Sequence, residues 1–93
     1  MGVWGLILNN MTAEELTGIT ADLVVDARGT ACPGPLLAAK KAIGEIESGE
    51  IMEILSADEG TKHDIPRWCD KMEHDFLGVI ETDSYTRLFL KKA

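Results

Sequence analysis

The chain has 93 residues, 45% hydrophobic and 27% charged, and sixteen acidic against nine basic side chains leave a net charge of −7. That length points to one domain with little apolar area to spare, and that charge disfavours direct nucleic-acid binding, which needs clustered cations against phosphates, while suiting docking onto basic protein surfaces. Two cysteines are too few for a disulfide scaffold, and no stretch is long enough to span a membrane or to serve as a signal-peptide core, so the expectation is a soluble cytoplasmic protein in a reducing compartment.

Residues 1–21 read as an N-terminal extension. Thr12-Ala13-Glu14-Glu15 fits a capping box that starts a short helix. Trp4, Leu6 and Ile7 are left open between packing on the domain and staying mobile. Residues 22–93 read as the folded unit. A strand over 23–28 ends at Gly29, which reads as permitting a tight turn into a helix. The helix, over 36–46, sets Leu36, Ala39, Ile43 and Ile46 on one face, with Lys40, Lys41, Glu45 and Glu47 towards water, and Gly49 ends the segment. Residues 51–55 form a second strand, interrupted by Glu53.

Asp58 and Asp64 are both candidate N-caps. Pro66 fits only the first turn of a helix, which predicts a regular helix from 64 or 65 to 74. Its apolar face is Ile65, Trp68, Cys69 and Met72. Strands follow over 76–80 and 86–90, with Thr82-Asp83-Ser84-Tyr85 as the hairpin turn. Each helix has one apolar stripe, so both can cover one face of a sheet. The predicted fold is an α+β two-layer sandwich: β-α-β-α-β-β, a mixed four-stranded sheet with two helices on one face, its first crossover right-handed between parallel strands.

Chemistry concentrates at Cys32-Pro33-Gly34-Pro35, between the first strand and the first long helix. A thiol there meets the positive end of the helix dipole and unpaired N–H groups, which favour the reactive thiolate. With Cys32 as N-cap, Pro33 and Pro35 fix the first turn and leave Gly34 and Leu36 as N–H donors, while Gly34 adds no side chain to block a partner. Arg28 supplies a nearby positive charge, and the carboxyl ends of strands are where α/β folds gather ligand chemistry. The alternative for Cys32 is a small buried turn residue.

Cys69 lies on the apolar stripe between Trp68 and Met72 and reads as core, although a Cys32–Cys69 disulfide stays open. His63 and His74 lack a third ligand at metal spacing and read as solvated, so no metal and no cofactor is expected. Asp58, Glu59 and Asp64 read as capping and surface carboxylates. Lys40, Lys41, Lys62, Arg67, Lys91 and Lys92 are candidate docking charges, each more simply a solvated side chain.

Asp26-Ala27-Arg28-Gly29-Thr30-Ala31-Cys32-Pro33-Gly34-Pro35 resembles the signature of the TusA/SirA-like sulfur carrier family, and Asp64-Ile65-Pro66-Arg67-Trp68-Cys69 resembles that family's second-helix segment. The likeness runs over roughly 22–92 and implies the same two-layer sandwich. It implies that Cys32 is the persulfide carrier of a sulfurtransferase-type relay, with Arg28, Gly29, Pro33, Gly34 and Pro35 around it. It also implies a cysteine desulfurase or rhodanese-type sulfur donor and a DsrE/TusD-like or other acceptor protein, on a route to transfer-RNA thiolation, sulfur oxidation or selenium metabolism. The extension and Gly34 depart from the compact carriers and bear on partner choice. The competing readings are a thiol redox switch using Cys32 and Cys69, and a non-catalytic interaction module.

Overall fold

The computed structural model describes residues 13–31 and 34–93. A short helix α1 (Ala13–Thr17) precedes strand β1 (Leu23–Asp26). Helix α2 (Gly34–Ala42) tightens into a 3-10 turn at Ile43–Glu45. Strand β2 (Ile51–Ser56), helix α3 (Thr61–Met72) and strands β3 (Asp75–Glu81) and β4 (Thr86–Lys91) complete the chain. The sheet order is β1-β2-β4-β3, with β1 parallel to β2 and β4 antiparallel to both of its neighbours. The mixed sheet and the α+β order agree with the sequence.

Register explains the core. Leu23, Met52, Leu90 and Phe76 form one row across the four strands, and Val25, Ile54, Leu88 and Val79 form the next. Both rows face α2 and α3, where Ala39, Ile46, Ile65, Trp68 and Cys69 close the cluster. Phe76 and Val79 are three apart and would normally point to opposite faces. A bulge between Phe76 and Gly78 brings them together, with Gly78 at φ 143°, a backbone that side-chain-bearing residues rarely adopt. Helix α2 lies over β1 and β2, and α3 lies over β3 and β4.

Four expectations are corrected. α3 starts at Thr61, earlier than predicted, which leaves Pro66 inside the helix. The start is set by Asp58, which accepts from the Gly60 N–H at 3.0 Å, and by a buried hydroxyl pair, Ser56 with Thr61 at 2.8 Å. The cost is one missing i→i−4 bond, from Pro66 to the Lys62 carbonyl. α3 also ends earlier, at Met72, because Glu73 turns left-handed (φ 64°) and returns its N–H to Asp70 and Cys69. Met72 is exposed instead of core-facing.

Glu53 does not interrupt β2. It is buried on the sheet's other face and accepts from Arg87 Nε at 2.6 Å, and the Arg87 guanidinium lies over the Phe89 ring. That second face is partly covered. By strand alternation Phe89 points away from α2 and α3, yet it is fully buried. α1 lies against β3, and its Leu16 is also fully buried. Trp4, Leu6, Ile7 and the Thr12 cap lie outside the described residues.

Candidate functional site at the start of the second helix

Since β1, β2 and β3 run the same way, their carboxyl ends share one edge with the N-termini of α2 and α3. The turn at Thr82–Tyr85 belongs to that edge too, closed by the Thr82 N–H to the Tyr85 carbonyl at 2.8 Å. Cys32 and Pro33 lie outside the described residues, so the site is defined by its frame.

The frame begins at Asp26, the last residue of β1. Its two carboxylate oxygens accept from Arg28 Nε at 2.9 Å and from the second guanidinium nitrogen at 2.7 Å, and the Arg28 backbone N–H adds a third bond at 3.2 Å. The Arg28 hydrogen bonds hold the Asp26 carboxyl down at about 2. The guanidinium also sits 5.0 Å from the centre of the Tyr85 ring. The positive charge expected at Arg28 is paired with Asp26, and the cluster joins the strand end to the hairpin. Tyr85 carried no signal in the sequence, because it joins the site only through the sheet order.

From Arg28 the chain turns into α2. The Thr30 N–H and hydroxyl both donate to the Ala27 carbonyl, at 3.2 and 3.0 Å. The Gly34 N–H donates to the Ala31 carbonyl at 2.7 Å, which removes it from the two donors expected to face an anion. Pro35 is buried in the first turn of α2, where a missing N–H costs nothing. A Cβ on Gly34 would stand 2.8 Å from the Thr30 Cβ, so glycine is required there by close approach. At Gly29 a Cβ would meet nothing within 4 Å, and its φ is not in the left-handed range. The turn is thus tightened by Thr30 against Gly34, a pairing that sequence spacing alone did not reveal.

The other candidates fall elsewhere. Cys69 is 1% exposed in the core beneath α3, and burial pushes its thiol up to about 12, with the Asp75 charge adding to the effect. It is a core residue, as its place on the apolar stripe predicted, and a thiol pushed up in this way stays protonated near neutral pH. His74 packs edge-on against Trp68, ring centres 5.3 Å apart, and its Nδ1 accepts from the Ala93 N–H, so it is half-buried and not fully solvated. Burial lowers its pKa. Among the described residues no three or more His, Cys, Asp or Glu side chains gather as a metal site. No described helix is long and apolar enough to cross a membrane. Lys62 is tied to Glu59 and Glu81, and Lys92 donates to the Ile46 carbonyl. Lys40 and Arg67 instead meet in a groove between α2 and α3 with Leu36, Asp64, Trp68 and Lys71.

Comparison with known proteins places the chain in a family. Residues 23–92 match the family described as Sulfurtransferase TusA. A protein of Archaeoglobus fulgidus that bears a sulfur-carrier name is 44% identical over 70 residues, covering 75% of this chain and 96% of the relative. Sulfur carrier protein TusA of Pseudomonas entomophila is 32% identical over 79 residues, covering 84% of this chain and 99% of the relative. A crystal structure of a SirA-like protein from Desulfitobacterium hafniense aligns with a TM-score of 0.67 at 24% identity, over 74% of this chain and 95% of that one, a likeness of fold.

Proposed function

This chain belongs to the sulfurtransferase TusA family of sulfur carriers, and we propose that it relays sulfane sulfur as a persulfide on Cys32. The observation that carries this reading is the position of the Cys32 motif, between the carboxyl end of β1 and the first turn of α2, within the matched residues. The Cys32 thiolate attacks the terminal sulfur of a donor persulfide. An S–S bond forms on Cys32, the donor's S–S bond breaks, and the donor leaves as a thiolate. An acceptor thiolate then attacks the same terminal sulfur and releases the Cys32 thiolate. Oxidation level is conserved, so no external oxidant is needed. The donor is a cysteine desulfurase or rhodanese-type protein, and the acceptor is a DsrE/TusD-like or other thiol protein.

The redox-switch reading needs a second reactive thiol. Cys69 is buried and held protonated, which speaks against that role. The deciding experiment incubates the protein with inorganic polysulfide, followed by intact-mass and peptide mapping. One added sulfur on Cys32, lost in Cys32→Ser, is expected. Equal loading of the Cys32→Ser protein overturns the proposal.

A further inference from the structure

The chain is acidic as a whole, yet three of the five cations that no carboxylate or carbonyl holds among the described residues lie together, Lys41 and Lys91 being the other two. Arg28, Lys62 and Arg87 are each paired with carboxylates, and Lys92 is tied to a backbone carbonyl. Lys40 of α2 and Arg67 and Lys71 of α3 have no carboxylate within 4.0 Å among the described residues. These three converge on the open groove of about 330 Å³ between the helices, where Asp64 is the lone lining carboxylate.

The groove floor is apolar. Leu36 and Trp68 belong to it, and both also pack against the core, so the floor is rigid. Leu37, next to Leu36, is 57% exposed and extends the apolar ground onto the outside of α2. The groove begins at the cysteine end of the molecule. α2 and α3 both follow parallel strands and both start at the site edge, so Leu36 and Asp64, in or near their first turns, mark its near end, while Lys71 marks its far end. A chain seated along it would finish beside the start of α2. An apolar floor with cations on its rim is complementary to a segment that presents one large apolar side chain between carboxylates. A basic or neutral segment would gain nothing from the rim.

We propose that the α2–α3 groove docks an acidic segment of the partner protein, one with a leucine or aromatic anchor, and so brings the partner's sulfur to the Cys32 end of α2. This rests on the carrier reading above and adds the chemistry of the partner to it. Cations at the rim steer encounter and set its salt dependence, while the floor over Trp68 supplies the anchor pocket.

The test titrates isotope-labelled full-length protein with a short synthetic peptide of glutamates interspersed with leucine and phenylalanine, and with its lysine counterpart, followed by NMR. Shifts centred on Leu36, Lys40, Arg67, Trp68 and Lys71 are expected for the acidic peptide alone. Affinity should fall roughly tenfold or more when Lys40, Arg67 and Lys71 are all changed to Glu, and should hold in Lys91→Glu, which by strand alternation lies on the sheet face away from the helices. Equal binding of the two peptides, shifts spread away from the groove, or equal binding by the triple variant overturns the proposal. The triple variant's spectrum reports its folding, and single Lys71→Glu serves if the triple variant unfolds. Polysulfide loading of Cys32 in the same variants separates the two ideas. Loading that persists while peptide binding is lost supports the groove as a docking site, whereas wild-type protein that binds peptide but does not load overturns the carrier reading alone.

Discussion

At the scale of single residues, the Asp26–Arg28 pair shows how a charge read from sequence changes meaning once its neighbours are known. Arg28 reads as a positive charge near the thiol, and two residues earlier stands the carboxylate that holds it through both oxygens. What it leaves at the strand end is a nearly neutral, rigid fork stacked on Tyr85. The pair has a pH signature. Asp26 is held at about 2 against an ordinary 3.8. A depressed carboxylate favours the fold above its unfolded pKa, and that contribution is lost as pH falls from about 4 towards 2. Both side chains are half exposed, so the effect on stability is small and local spectroscopy is the better readout. Carboxyl-carbon NMR should place the Asp26 midpoint near 2 in the parent and near the ordinary value in Arg28→Gln. An unchanged midpoint in that variant would show that the arginine is not the cause.

At the scale of elements, the turn from β1 into α2 is decided by one steric fact, the absence of a Cβ on Gly34 beside Thr30. Gly34→Ala should therefore lower stability by about 1 kcal/mol, since overpacking outweighs the helix-propensity gain. Gly29→Ala, the same chemical change at a position with open space, should be neutral or stabilising by up to about 1 kcal/mol. Urea midpoints of the two variants decide it, and equal midpoints would remove the Thr30–Gly34 contact from the account. This junction also marks where sequence reading stops. Strand and helix order, the buried stripe of α2 and the inert place of Cys69 follow from periodicity, which is local. The early start of α3 rests on a Ser56–Thr61 hydroxyl pair, and the bulge that turns Phe76 and Val79 to one face is a matter of register. Neither has a periodic trace. Glu53 looked like a fault in a strand because its partner, Arg87, is 34 positions away and meets it only across the β2–β4 ladder.

At the scale of the whole molecule, the sheet has two faces with different tasks. One carries α2, α3 and the core, and the start of α2 lies at its edge. The other would leave Phe89 and the Glu53–Arg87 pair open to water without further cover. α1 packs against β3, although it lies before the residues that match the family. A five-residue helix cannot hold itself together in water, because nucleation costs more than so few hydrogen bonds return. Its persistence must come from packing, and its fully buried side chain is Leu16. Leu16→Ala should consequently cost about 3 kcal/mol, the sum of lost transfer energy and a cavity against the sheet. The drop should appear as a lower urea midpoint with an unchanged slope. Because α1 lies against β3, and neither Leu16 nor any other residue of α1 belongs to the described frame around the start of α2, loading of Cys32 by polysulfide should be unaffected in the folded variant. A loss below about 0.5 kcal/mol, within the range of an ordinary surface substitution, would mean that the segment does not hold to the sheet in solution.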